Sequence, residues 1–361
     1  MLAFLPSVCL SRVASDVRIV GARGLLTGAF SADIIARLSL GRIISKEERT
    51  RMHRDEIRNL IQGPIATVPT PFDDGFEVDY GRMYELTQGW VEAGLVKGKA
   101  VIKVAAAMGE GPMLSDDEWP FLLRTVVQAS DDRSAIVCGL HYKDTKRTIE
   151  DAKRAQDMGA HALQICPPVF NLPSQGDTLD YFSDISDAID IGIMVYHTHW
   201  LRGGFIATDT IMKMGDIERV VSIKWSVPEG GNYEDMMKFS EMFSVIDNGG
   251  NPARCHSLGG RGYINLTLES YPPHDLKVWE LLESNQYEKA EELFESVDRP
   301  LREYAARVDE RSGGQARVKK GLMALMGLPV GASRPPSKPL NEKEMDELRE
   351  ILRGFGWPVT T

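Results

Sequence analysis

The sequence has no apolar run approaching the roughly 20 residues of a membrane-spanning helix. It also lacks a surplus of basic charge: 42 Lys and Arg stand against 52 Asp and Glu, a net charge of −10. A phosphate backbone needs a basic surface, and no basic stripe with interleaved aromatics is present, so no nucleic-acid partner is expected. Cysteine is scarce. Cys9, Cys138, Cys166 and Cys255 lie far apart and form no CxxC pair. That excludes a disulfide framework and fits a reducing compartment, which gives a cytoplasmic expectation. Cys138 and Cys166 sit inside strand-like runs, where cysteine acts as a small buried hydrophobe. No Gly-x-Gly-x-x-Gly follows the first such run, which counts against a dinucleotide-binding fold.

What is present is the composition of a soluble, enzyme-sized globular protein, 43% hydrophobic and 26% charged over 361 residues. Residues 1–51 stand apart. Up to Arg42 they hold five arginines (Arg12, Arg18, Arg23, Arg37, Arg42) against Asp16 and Asp33, with several serines. This segment reads as a disordered extension or as a start site placed upstream of Met52. An Arg-rich, acid-poor mitochondrial transit segment is the alternative. No chemistry is expected there.

From Gly63 onward, short apolar runs alternate with amphipathic helical patterns, the mark of βα units and a parallel sheet. Eight runs read as strands: 65–69, 100–104, 135–140, 162–166, 192–197, 220–224, 243–247 and 263–267. Helical patterns lie between them. Ser115 to Glu118 is a capping box, and Asp144-Thr145 and Thr208-Asp209 read as further helix starts. Gly94 and Gly159 stand at helix ends. Eight units in this length predict an α/β (β/α)₈ TIM barrel over 52–270. A helical region over 271–361 packs on it, ending in an amphipath whose Met345, Leu348, Ile351 and Leu352 recur at helical spacing.

Active sites of such barrels lie at the C-terminal ends of the strands. Lys224 ends the run Val220-Val221-Ser222-Ile223-Lys224, and burying an ammonium there costs several kcal/mol unless it is paired or neutral. The lysine has a partner, an exit to water, or a use for a neutral amine, which attacks ketones to form a Schiff base. Tyr196 ends the preceding strand, so its phenol could meet the amine in the barrel mouth and shuttle protons.

The segments Val68-Pro69-Thr70-Pro71-Phe72, Met108-Gly109-Glu110 and Pro167 to Pro173 continue the pattern. So do Tyr196-His197, Ile223-Lys224, Gly259-Gly260-Arg261-Gly262-Tyr263-Ile264 and Arg334-Pro335-Pro336. In this order and spacing the chain, from Gly63 to Phe355, resembles the family of dihydrodipicolinate synthase and N-acetylneuraminate lyase, the class I pyruvate-type aldolases. The resemblance implies Lys224 as the Schiff-base lysine and Tyr196 as the acid/base phenol. It implies a 2-oxo acid substrate and no metal or organic cofactor, because the iminium is the electron sink. It places Thr70 in the pocket floor, and Ala107, Met108, Gly109, Phe170, His197 and His199 at the strand ends are expected around the substrate. Gly260 and Gly262 would let the backbone approach the carboxylate. Homotetramers are common in the family.

The departures matter as much. Where the family has Gly-Thr-Thr-Gly-Glu, this chain has Ala106-Ala107-Met108-Gly109-Glu110, without either hydroxyl. Phe170 replaces a relay tyrosine, and Arg202 is displaced by one residue. These changes point away from dihydrodipicolinate synthase itself and towards cleavage, condensation or hydratase–aldolase chemistry on a bulkier 2-oxo acid, for which Met108, Phe170 and Trp200 would suit. His141, His197, His199 and His256 are expected near the same barrel end, where they could line the pocket, carry protons or ligate a divalent metal. A metal-assisted lyase or hydrolase and a catalytically silent ligand-binding homologue are therefore the competing readings.

Overall fold

The computed structural model describes residues 52–141 and 143–360, together with the backbone of an antiparallel hairpin, Ile19–Gly21 with Gly24–Leu26. The expectations for residues 1–51 fall outside the described residues apart from that hairpin. The hairpin belongs to one compact unit, and the fold and site belong to another that runs to Thr361.

That second unit is a closed eight-stranded parallel barrel. Its strands are β1 (Gly63–Thr67), β2 (Val101–Val104), β3 (Ala135–Leu140), β4 (Ala162–Ile165), β5 (Gly192–Tyr196), β6 (Val220–Trp225), β7 (Ser244–Asp247) and β8 (Gly262–Tyr263). Every residue of all eight strands is buried. Strands covered on both faces read as continuous apolar runs, which is why the sequence signals them so directly. Closure between β8 and β1 depends on two glycines, Gly262 paired with Gly63. A Cβ on Gly262 would stand 2.2 Å from the Gly63 carbonyl oxygen.

Helix α1 (Arg54–Leu60) precedes the barrel; α2 (Tyr80–Glu92), α3 (Glu118–Ser130), α4 (Thr145–Met158), α5 (Gln175–Ala188), α6 (Thr208–Lys213) and α7 (Pro252–Ser257) follow strands. The Ser115–Glu118 capping box forms in both directions, N–H to side chain each way. Asp144 accepts from the Arg147 N–H, so it caps α4 as its sequence position suggests. Thr208 does not cap α6: it is the first helical residue, and its hydroxyl donates to Asp235 instead.

Four more helices complete the chain: α8 (Pro272–Glu283), α9 (Tyr287–Asp309), α10 (Arg317–Leu325) and α11 (Glu342–Gly354). Leu348 and Leu352 of α11 are buried with Leu301, Tyr304 and Leu322, and Met345 and Ile351 pack beside them. The tail also reaches the barrel mouth. Lys320 pairs with Glu110 at 2.8 Å, and Arg334 pairs with Glu118 and donates to the carbonyls of Phe76 and Met113. No described helix is long and apolar enough to cross a membrane.

Candidate active site

Strand alternation decides which side chains enter the barrel. On β5, Met194 and Tyr196 point inwards, and on β6 Ser222 and Lys224 do; Tyr196 and Lys224 are register partners on these neighbouring strands. The Lys224 Nζ lies 3.6 Å from the centre of the Tyr196 ring, over its face. Only 6% of Lys224 is exposed, and burial holds its amine well below the usual lysine range. The positive charge of Lys103 adds to this and that of Lys319 less so, while Cys166 opposes it weakly. A desolvated cation on an aromatic face gains about 2 kcal/mol. Taking an ammonium out of water costs several kcal/mol. Desolvation outweighs the attraction of the ring, so burial favours the neutral form of the amine relative to a lysine in water.

The turn after β2 is held from several sides. Ala105 and Glu110 both take left-handed backbone, at φ 53° and 62°. Gly109 lies so close to β1 that a Cβ there would meet the Val68 carbonyl oxygen at 2.6 Å. The buried Thr70 hydroxyl donates to the Gly109 carbonyl at 2.7 Å, so it secures the turn as well as lying beneath it. Ala107 is half-buried, and Met108 packs against the barrel-interior group that includes Ile65, Val101 and Met194.

The four histidines do not form one cluster, although the rings of His197 and His199 lie 5.2 Å apart. His197 follows the inward Tyr196 and so points outwards, between barrel and helices, stacked on Trp225 at 5.5 Å and 19°. Its Nδ1 bonds the Ser226 carbonyl at 3.0 Å, and burial, followed by the neighbouring His199, pushes its pKa down to about 4. It is a core residue rather than pocket lining. His199 sits in the turn beyond, its Nε2 3.2 Å from the Ser226 hydroxyl. His256 faces α8 and α9, bonding Glu283 and Tyr287, and does not join the barrel mouth. His141 alone enters the barrel, with Nε2 bonded to the Ala105 carbonyl at 3.1 Å. Burial first, then Lys224 and Lys103, lower its pKa to about 4. Among the described residues no three His, Cys, Asp or Glu side chains are grouped as a metal site requires.

Three other expectations are corrected. Gly260 and Gly262 lie before and at the start of β8, where a Cβ would strike Cys255 and Gly63, so close packing accounts for both without a carboxylate cradle. Phe170 is 83% exposed on the loop after β4, so within this chain it does not enclose a substrate. Arg202 is likewise exposed. Trp200, half exposed, stands edge-on to Tyr196 at 5.6 Å.

The sequence reading passed over Lys103, which has the same signature as Lys224: a lone lysine within an apolar strand. It is fully buried on β2, donates to Gln164 Oε1 on β4 at 2.7 Å, and is pushed down by burial to about 7. Also passed over was the fully buried ion pair of Lys319 with Glu269, just past the end of β8, where Lys319 also donates to the Asn265 carbonyl.

The sequence matches the Dihydrodipicolinate synthetase family over residues 60–354. A 4-hydroxy-tetrahydrodipicolinate synthase of Acidothermus cellulolyticus is 35% identical over 297 residues, covering 81% of this chain and 92% of that one. One from Heliobacterium modesticaldum is 25% identical over 294 residues, covering 81% and 95%. In fold, the chain is similar to the chloride-inhibited dihydrodipicolinate synthase of Acinetobacter baumannii complexed with pyruvate, with a TM-score of 0.73 at 22% identity over 82% of this chain and 99% of that one. YagE of Escherichia coli K12 in complex with pyruvate gives 0.73 at 20%, over the same shares.

Proposed function

The chain belongs to the dihydrodipicolinate synthetase family, and from that membership and the Lys224 geometry we propose that it is a Schiff-base lyase acting on pyruvate or a related 2-oxo acid. The observation that carries the proposal is the buried, neutral-leaning Lys224 amine lying against Tyr196, its register partner. The nitrogen lone pair bonds the ketone carbon, and the carbonyl oxygen takes up a proton to give a carbinolamine. That hydroxyl leaves as water once protonated, and the iminium remains. The iminium then accepts the electron pair of a breaking bond to the adjacent carbon, either C–C in cleavage or C–H in condensation, and becomes an enamine. In this reading Tyr196 carries protons to the departing oxygen and to the reacting carbon. No metal or organic cofactor is needed for these steps.

The relatives are named for dihydrodipicolinate chemistry, yet three features favour a different second substrate. The turn over residues 106–108 has no hydroxyl, Phe170 is exposed, and Arg202 is exposed. Met108 and Trp200 favour a bulkier, less polar partner. Borohydride reduction with pyruvate, read by mass spectrometry, is the test. A stable adduct on Lys224, lost in Lys224→Ala, is expected. Absence of an adduct in the wild-type protein would defeat the proposal.

A further inference from the structure

The barrel interior holds more donors than acceptors. Lys103, Gln164 and Lys224 come from alternate strands β2, β4 and β6, which fill a TIM barrel in shared layers. Lys103 and Gln164 bond to each other across the intervening strand β3. The Gln164 Nε2 is buried without a hydrogen-bond partner, and so is the hydroxyl of Thr67, the register partner of Lys103 on β1. Thr67, Lys103 and Gln164 are each at least 98% buried. The other ionisable groups nearby are Lys224, His141, Cys166 and Lys319, and among the described residues the carboxylate in contact with these amines, Glu269, is paired with Lys319. Buried donors in native proteins are nearly always satisfied, and an unpaired buried amine without a counter-ion is costly. The Gln164 Nε2 and the Thr67 hydroxyl are thus left with hydrogen bonds to give beside the Lys103 amine, an arrangement that suits an anion.

We propose that Lys103, supported by Gln164 and Thr67, receives the carboxylate of the 2-oxo acid whose ketone bonds Lys224. This rests on the Schiff-base reading of Lys224 and adds to it the group that distinguishes an acid from a neutral ketone. The turn after β2 offers no hydroxyl, so the donors come from within the barrel. Gln164 takes its position from its bond to Lys103 and presents Nε2 to the ligand. Lys103 takes up a proton as the anion arrives, because the carboxylate supplies the counter-charge that burial denies it.

The test compares pyruvate with acetone, which carries the same ketone without the carboxylate. Each is trapped by borohydride on purified protein, with the adduct on Lys224 quantified by peptide mass spectrometry over a range of ketone concentrations. Charge-assisted hydrogen bonds predict that Lys103→Met lowers the preference for pyruvate over acetone about ten- to a hundredfold. Methionine is an apolar side chain of similar length, so circular dichroism should show the fold retained. Should that variant fail to fold, Gln164→Leu and Thr67→Val are measured the same way, and each should lower the preference several-fold. An unchanged preference in the folded variants overturns the proposal, including the case where both adducts fall together, since Lys103 would then act on the amine rather than on the carboxylate. An adduct on Lys103 itself also overturns it. Absence of any Lys224 adduct in the wild-type protein is the separate result that defeats the underlying Schiff-base reading.

Discussion

The Lys224 amine lies over the face of the Tyr196 ring, 3.6 Å from its centre, on adjacent strands in register. The ring covers the amine, and the proposed mechanism gives the hydroxyl the movement of protons, so the two roles can be separated by substitution. Tyr196→Phe should keep stability within about 1 kcal/mol, because it preserves the packed ring. It should still give the borohydride adduct, while turnover falls about 10²- to 10⁴-fold, the usual range for loss of a general acid–base group. Tyr196→Ala should instead cost about 3–5 kcal/mol, as the loss of a buried aromatic ring does. Thermal denaturation and product formation, measured side by side, check both. Normal turnover in Tyr196→Phe would remove the phenol from the mechanism.

A buried amine whose charged form is disfavoured by burial contributes little to stability. Lys224→Met should therefore abolish the adduct and all turnover while leaving the urea midpoint unchanged or higher, since apolar replacement of a buried ionisable group is often neutral or stabilising by about 1–4 kcal/mol. A large fall in the midpoint would mean that Lys224 has a structural partner in the fold.

The barrel was legible because each strand is buried on both faces and so appears as an uninterrupted apolar run, as in Ala135–Leu140. The Lys224–Tyr196 pair was legible because both residues end such runs. The direction of neighbouring side chains was not. Tyr196 and His197 are consecutive, and strand alternation turns one inwards and the other onto Trp225, a distinction lost where a strand end is read as a loop. The glycines around 260 read as a turn signal, which says nothing of the close packing against Cys255 and Gly63 at the start of β8. Lys103 escaped notice because its run continues to Val104 and does not mark a strand end. The left-handed turn at Ala105 carries no glycine to announce it.

Ala105 is itself a test of that turn. Left-handed backbone costs a residue with a Cβ about 1–2 kcal/mol. Glycine escapes this cost but loses about 0.5–1 kcal/mol in chain entropy. Ala105→Gly should therefore stay within about 1 kcal/mol of wild type in denaturant unfolding. Ala105→Val adds a branched Cβ at φ 53° in a fully buried turn and should lose more than about 2 kcal/mol. Equal stability of the two variants would show that the turn adopts another conformation.

The Lys319–Glu269 pair is fully buried on both sides, so removing one partner strands a charge. Lys319→Met or Glu269→Leu alone should cost about 3–5 kcal/mol, and the double substitution should recover most of that loss. Chemical denaturation of the four proteins completes the cycle. Additive losses would mean that the two groups do not act as a pair.

His197 supplies a pH signature with a definite sign. Burial, followed by the neighbouring His199, lowers its pKa in the fold to about 4, against about 6.5 in the unfolded chain. Between those values the unfolded chain binds the extra proton, so stability rises with pH. The contribution is complete above about pH 6.5 and is lost as pH falls towards 4, at up to about 1.4 kcal/mol per pH unit. The total unfolding curve does not show this cleanly. Asp247 and Asp275 are raised by burial, and Asp298 is raised to about 6, so their contributions fall as pH rises through the same window. The difference between wild type and His197→Phe cancels them. That difference should shrink by about 2–3 kcal/mol between pH 7 and pH 4. A difference independent of pH would place the imidazole in water, contrary to its stacking on Trp225.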